Sequence, residues 1–378
     1  MNVILPGICL TISFNEMNVL NQKFTYQDIM DSVCVGKDDY GIAALCTERY
    51  KQTFFSNPNL TDYSKVFLYI SKVDDTIGGI GMTFPTQFKA DSELVDSLGG
   101  TTLEVHESFR HLALGADIVF EPLQDKSNKV IIYAGLADIA LAFYKKLKFV
   151  VFEYPRLMQL RNVRCILESK GLKGGLLSVT TKILNGFIKP FNCVCNYKSR
   201  NFAQKYIVKK LMIVPDWVDE IVFNDGHKYM EVHDRKWLQW NVDYNLFDRD
   251  GDIQSFFGIY QSEKPIGFFM TKERFRKTAG GVLNNIVIGS IVEWGSIDEI
   301  KLSEYDIYKI AISTFSKNVD IVELATTDHG VVRRMRKFGF IQHGYAHIVF
   351  KDLTNKYKDS ADPNLWRIRF GYADLIIT

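Results

Sequence analysis

The sequence predicts an α/β (α+β) protein built from two similar halves, each a mixed β-sheet flanked by helices. Three observations carry this expectation. The chain has 378 residues, too many for one domain of about 100–200 residues, so two are expected. Three segments recur in the same order at nearly one offset. The segment 67–80 (FLYISKVDDTIGGI) matches 256–269 (FFGIYQSEKPIGFF) at an offset of 189, and 130–134 (VIIYA) matches 321–325 (IVELA) at 191. The third pair, 144–154 (YKKLKFVVFEY) and 335–345 (MRKFGFIQHGY), again stands at 191, which points to a duplicated domain. Finally, each copy reads as a strand pair with a tight turn, then strand, helix, strand, helix and strand, and a hairpin followed by βαβ makes a mixed sheet.

The opening run MNVILPGICLTISFN is apolar but lacks a preceding Lys or Arg and a small-residue cleavage site, so it reads as a first β-strand and not as a signal peptide. Met17 is an alternative start. The repeats occupy about 17–165 and 211–352, giving an N-terminal domain at 1–165, a linker at 166–210 and a C-terminal domain at 211–378. In the linker, Gly171, Gly174, Gly175 and Pro190 punctuate the chain, while Leu176, Leu177, Ile183, Leu184, Phe187 and Ile188 fall roughly on one face of a short helix. The expectation is a helix packed between the two domains, because Lys173, Lys182 and Lys189 are too few for the basic face of a membrane-surface helix.

Hydrophobic residues make up 47% and charged residues 24%, which excludes disordered and collagen-like chains. A net charge of +2 gives no broad pull toward nucleic acid or anionic lipid, so no nucleic-acid partner is expected, though a local basic site stays open. Apolar stretches are interrupted by charge, as at Asp138 and Lys182, short of a bilayer span, so no integral membrane association is expected. Six cysteines are too sparse for a disulfide scaffold and suit a reducing cytoplasm. Cys193 and Cys195 have the wrong spacing for a zinc ribbon and read as core thiols, and His343 and His347 beside strand-like residues do not form a ligand pair; no metal is expected.

The chemically informative stretch is 101–116, TTLEVHESFRHLALGA. A β-rich run after Gly99 and Gly100 leads through Arg110 and His111 into a helix. Small residues at a helix start leave backbone N–H groups pointing outward, and with the helix dipole these form an anion site suited to a pyrophosphate. Ala113 and Gly115 would let phosphates approach the backbone, and Arg110 adds a permanent cation.

Downstream, Ala140, Tyr144, Leu147 and Phe149 fall in the order A-x-x-x-Y-x-x-L-x-F. Together the two stretches resemble the GNAT superfamily of acyl-CoA-dependent N-acyltransferases, whose acyl-CoA loop reads Q/R-x-x-G-x-G/A and whose following helix reads A-x-x-x-Y-x-x-x-G-F. Arg110, Ala113 and Gly115 match the first motif, and Ala140, Tyr144 and Phe149 the second, so the resemblance covers most of 17–165. Ala113 replaces the first glycine, Lys148 replaces the glycine before Phe149, and Pro122 is expected to end or kink the loop's helix early.

The resemblance implies two GNAT-like domains and an acyl-CoA co-substrate, acetyl-CoA or another acyl-CoA. It also implies transfer to a primary amine of a small molecule such as an amino sugar or amino acid. The binding set it implies is Val105, Arg110, His111, Leu112, Ala113, Leu114, Gly115 and Ala116. Tyr144 matches the acid that protonates the leaving thiolate, Glu104 is the candidate base with His106 behind it, and the oxyanion donor would be a main-chain N–H near Val105 or His106.

The second copy keeps the scaffold and loses the chemistry. No Arg-x-x-Gly-x-Gly loop appears around 291–305, the carboxylates Glu293, Asp298, Glu299 and Glu304 would repel a pyrophosphate, and Met335 stands where the tyrosine was. Gly339-Phe340 retains the family's Gly-Phe, while His329, Arg333, Arg334 and Arg336 form a basic cluster at the start of the last helix, usually a solvated face. A degenerate second domain is expected. Two rival readings stay open: a non-catalytic acyl-CoA or protein-binding module, and an aminoacyl-tRNA-dependent peptide-bridge transferase, a family with tandem GNAT-like architecture. The oligomeric state is not legible from the sequence.

Overall fold

The computed structural model describes residues 18–31, 48–244, 252–279 and 283–372, and the strand expected at the start of the chain lies outside them. The first half runs β1 (Val19–Thr25), α1 (Tyr26–Asp31), α2 (Glu48–Phe55), β2 (Val66–Val73), β3 (Thr76–Ala90) and β4 (Glu93–Val105). It continues through a 3-10 turn (Glu107–Leu112), α3 (Leu114–Gln124), β5 (Val130–Ala134), α4 (Asp138–Lys146) and β6 (Val150–Leu160). Two helices follow, α5 (Arg164–Ser169) and α6 (Gly174–Ala203). The second half repeats the order with β7 (Ile207–Leu211), α7 (Trp217–Phe223), β8 (Tyr229–Glu231), α8 (Arg235–Asp243), β9 (Ile253–Gln261), β10 (Lys264–Ala279) and β11 (Leu283–Ser296). It closes with α9 (Glu304–Ile312), β12 (Ile321–Ala325), α10 (His329–Arg336) and β13 (Phe340–Asp352).

Among the described residues thirteen strands form one sheet, in the order β1-β2-β3-β4-β5-β13-β6-β12-β11-β10-β9-β7, with β8 paired to β3. The last strand of each half crosses into the other: β13 lies beside β5, and β6 beside β12, with the exchanged pair antiparallel in the centre. The repeat is exact in register at the parallel pairs. Ser97 faces Val130 in the first half and Ile288 faces Ile321 in the second, each residue 191 positions after its counterpart. At the hairpins the shared turns, Asp74-Asp75 and Ser262-Glu263, both with positive φ as a tight two-residue turn requires, set the offset at 188, one less than sequence matching gives there.

Alternation along β5 sorts the core into two layers. Val130 and Ile132 join a large cluster with Phe67, Phe84, Trp237, Phe268 and Trp366, drawn from both halves. Ile131 and Tyr133 point the other way, into a cluster with Leu141, Tyr144 and Phe149 under α3 and α4. The corresponding cluster of the second half, with Ile307, Tyr308, Val332 and Met335, lies under α9 and α10. Close packing of α3 on β3 depends on small residues: a Cβ on Gly78 would come within 2.7 Å of Leu114 Cδ1. Pro122 does not stop α3, which runs two residues past it to Gln124. The proline falls in the last turn, and its own carbonyl accepts from Asn128 Nδ2 at 2.9 Å, so little helix remains to be disrupted.

The linker differs from expectation. Its helix α6 has 30 residues, and its apolar residues are not packed between the halves: Leu177 is buried, but Leu176, Ile183, Leu184 and Phe187 are exposed. Polar side chains face the protein instead. Asn185 Oδ1 accepts from the Val163 N–H at 3.1 Å, Asn192 Nδ2 donates to the Leu160 carbonyl at 2.8 Å, and Ser199 Oγ donates to the Lys309 carbonyl. Cys195 is buried there as a core thiol, whereas Cys193 is exposed.

Candidate active site

The ladder between β4 and β5 covers only Ser97–Gly99 against Val130–Ile132. Beyond it the two strands diverge, and the gap opens into a cavity of about 320 Å³. Thr101 and Thr102 line it from β4, Tyr133 from β5, Ala140 and Tyr144 from α4, and Ile118, Val119 and Pro122 from α3. A β-bulge helps to open the gap: the register between β3 and β4 slips between Ile80 and Met82, which face Glu104 and Thr101, and Thr102 takes φ 53°. A bulge leaves one residue out of the ladder and bends its strand.

Tyr144 is 3% exposed and packs against Tyr133 and Phe149, with ring centroids 5.5 and 5.0 Å away. Burial pushes its phenol well above the usual range, so it is protonated at neutral pH. The helix bearing it ends in a Schellman turn, in which the Phe149 N–H bonds the Tyr144 carbonyl and the Lys148 N–H the Lys145 carbonyl, both at 3.1 Å. Lys148, standing where the motif has glycine, adopts φ 59°. The lysine therefore takes up the glycine's left-handed backbone. Lys351 of β13 closes the same turn, its Nζ donating to the carbonyls of Leu147 and Lys148 at 2.9 and 3.1 Å.

The anion loop forms at the start of α3. Glu107–Leu112 winds as a 3-10 turn capped by His106, whose Nδ1 accepts from the Ser108 N–H at 3.3 Å. Ala113 then takes φ 58° and begins α3 without any side-chain cap. The Ala116 N–H turns back to the Ala113 carbonyl at 2.8 Å, so Leu114 and Gly115 carry the leading N–H groups of the helix. Arg110 and His111 are exposed beside them, Arg110 Nε reaching the Val105 carbonyl at 3.4 Å. Leu112 is half-buried, and Leu114 is buried.

Two expected roles meet a different geometry. The His106 N–H bonds the Gly78 carbonyl at 2.9 Å and is taken up by the sheet, which leaves Val105 and Gly79 a non-hydrogen-bonded pair with the Val105 N–H directed away from β3; the interrupted ladder at Thr102 and Leu103 borders the cavity. Glu104 lies just past the bulge, exposed, and is not on the cavity wall that carries Tyr144. Sequence reasoning missed Tyr69, Thr101, Thr102 and Tyr133. Gly99-Gly100 was the available signal, since glycine inside a strand marks a bulge or a close approach, and a Cβ on Gly100 would overlap the Tyr133 ring.

The second half has a different lining at the corresponding positions. Trp294, Leu302, Tyr308 and Leu324 are buried in one cluster, and Met335, in the place of Tyr144, is fully buried. The start of α9 is closed by its own side chains: Ser303 Oγ accepts from the Asp306 N–H and the Asp306 carboxylate accepts from the Ser303 N–H, both at 3.3 Å. A capping box consumes the N–H groups an anion would need. The carboxylates are not lined up to repel a phosphate. Glu293 is buried against His233 and Arg369, and Glu299 pairs with Arg367. Arg333, Arg334 and Arg336 sit in the last turn of α10, not its first, exposed, with Arg334 stacked 4.3 Å over the Tyr305 ring.

No protein-family model matches the sequence, and no curated protein matches it. Solved structures do match. Saccharomyces cerevisiae N-myristoyltransferase with bound myristoyl-CoA aligns at TM-score 0.57 and 13% identity, over 88% of this chain and 79% of that one. A conserved protein of unknown function from Enterococcus faecalis V583, described as a probable N-acyltransferase, aligns at 0.51 and 11%, over 89% and 73%. The chain carries the GNAT fold twice. A GCN5-related N-acetyltransferase from Anabaena variabilis ATCC 29413 aligns at only 0.49 and 8%, over 81% of this chain, which spans 66% of that protein, under two thirds of its length; the fold assignment rests on the other two. Within the GNAT fold the cavity between the splayed strands belongs to the first copy, and the self-capped helix to the second.

Proposed function

We propose that the protein is an acyl-CoA-dependent N-acyltransferase whose working site is the splay of the first copy. One observation carries this reading: the cavity walled by Tyr144 reaches Ile118, four residues and about 6 Å along α3 from the uncapped helix start at Leu114. A pantetheine arm in the cavity would place the CoA pyrophosphate on the Leu114 and Gly115 N–H groups, with Arg110 beside it. A cavity of about 320 Å³ stands at the small end of ligand sites and favours a short acyl group, acetyl first. In this division of labour 1–165 binds and reacts, 166–210 connects, and 211–378 braces the site through β13 and Lys351.

In the reaction, the acceptor's neutral amine forms an N–C bond to the thioester carbonyl, and the tetrahedral intermediate expels CoA as the C–S bond breaks. The proton that the amine loses leaves through water, with Glu104, exposed just past the bulge, as its acceptor. Tyr144, kept protonated by burial, gives its proton to the departing sulfur and is reprotonated afterwards. The oxyanion is met by main-chain N–H at the bulge of 102–103.

A thermal-shift series with acetyl-CoA, longer acyl-CoAs and free CoA tests this reading. Binding to the folded state alone stabilises by about 2.7 kcal/mol at a hundredfold excess over Kd. Acetyl-CoA should raise the melting point at least as much as the longer chains; no shift with any CoA species contradicts the proposal.

A further inference from the structure

The helix α6 is built inside out. Its buried face carries Asn185, Asn192 and Ser199, while the opposite face presents Leu176, Val179, Ile183, Phe187, Val194 and Tyr197 to solvent. At about 100° per residue these six fall within a band of roughly 80°. Leu176, Phe187 and Tyr197 are 68%, 76% and 69% exposed. Single exposed apolar residues need no explanation, but a continuous stripe along a 30-residue helix, roughly 45 Å, does.

Charge identifies what covers it. From 169 to 215 the chain has no Asp or Glu and nine Lys or Arg, although the whole chain carries only +2. Lys182, Lys189 and Arg200 fall in one row along the flank of the stripe, about 100–120° from its centre. Among the described residues none of the three forms an ion pair with the chain's own carboxylates. A second copy of the helix would bring like charges together, which disfavours self-association. An apolar band edged by cations and free of anions fits the interface of an anionic bilayer, the apolar side chains entering the acyl boundary and the basic row meeting headgroups.

We propose that α6 is a membrane-surface helix that docks the protein on anionic lipid. No helix among the described residues is long and apolar enough to cross a membrane, and this one lies flat, held to the protein by its three polar anchors. The inference is independent of the catalytic reading.

Co-sedimentation of the full chain with vesicles of phosphatidylcholine alone, or mixed with phosphatidylserine, tests it. Binding should require phosphatidylserine and weaken steeply with added salt. Ile183→Ser with Phe187→Ser should lower the vesicle partition at least about tenfold, and Lys182→Glu with Lys189→Glu by a similar factor. All four positions are exposed, so the variants should keep the parent melting point, and either pair suffices if the other disturbs the fold. Absence of binding to any vesicle overturns the proposal. So does salt-insensitive binding to phosphatidylcholine alone, or a concentration-dependent dimer that the serine variant abolishes while vesicles bind nothing.

Discussion

Gly100 and Tyr133 meet face to face where β4 and β5 part, the tyrosine ring occupying the space a Cβ on Gly100 would need. Tyr133 cannot retreat freely, because Phe149 stacks on it with centroids 6.2 Å apart and Tyr144 lies on its other contact. Gly100→Ala should therefore destabilise the protein by about 1–3 kcal/mol and weaken CoA binding through the displaced cavity wall. Urea unfolding and a CoA titration check both, and a variant unchanged in both would show that the glycine does not shape the cavity.

Tyr144→Phe keeps the ring among Tyr133 and Phe149 and removes only the proton it can donate. Acyl-CoA binding should persist while kcat falls about 10²- to 10⁴-fold, the usual range for a general acid. Since burial holds the phenol well above its ordinary value, its ionisation does not shape the neutral pH range, and the residual activity should keep the parent's pH profile between pH 6 and about 9. Parent-like turnover in the variant removes Tyr144 from the chemistry.

Lys148→Gly should stabilise the protein by about 0.5–1 kcal/mol, since a lysine there holds φ 59° at a position where glycine carries no Cβ penalty. The Lys351 bonds go to main-chain carbonyls and survive the change. Chemical denaturation reads the effect, and a loss of stability would mean that the lysine side chain contributes more than the strain removes.

His233 is fully buried between Glu293 and Glu231, its Nε2 3.4 Å from Glu231 Oε2, with Arg369 2.8 Å from Glu293 and the Tyr372 hydroxyl bonded to the Glu231 N–H. Burial opposes the charged ring, but the two carboxylates outweigh it and raise the imidazolium to about 9. A folded-state value above the unfolded one means the folded protein holds the extra proton. The resulting stability is complete below about pH 6.5 and lost as pH rises through about 9, an effect on the order of 1–3 kcal/mol. His233→Gln should be less stable at pH 6 and flatter across that window; an equal slope in both proteins would place the titration elsewhere.

Much of the fold was legible because a duplicated chain repeats its own hydrophobic pattern, and the offset of 191 survives in the strand register at Ser97 and Ile288. The exchange of β6 and β13 was not, since neighbours in a sheet depend on long-range pairing that neither strand's composition encodes. Arg110, Ala113 and Gly115 could be read from spacing at a helix start, whereas the bulge at Thr102 is a register event visible only once β3 is beside β4. The apolar face of α6 misled for a physical reason. Amphipathic spacing says that a helix has two faces, not which one meets the protein, and here Asn185 and Asn192 do.

The most direct measurement is a calorimetric titration of the full chain with acetyl-CoA, repeated on Arg110→Glu and Gly115→Glu. One CoA per chain is expected, because the start of α3 is uncapped while Ser303 and Asp306 close that of α9. Each substitution sets a carboxylate against the pyrophosphate and should weaken binding at least about tenfold. Two CoA per chain, or undiminished affinity in both variants, would contradict the account.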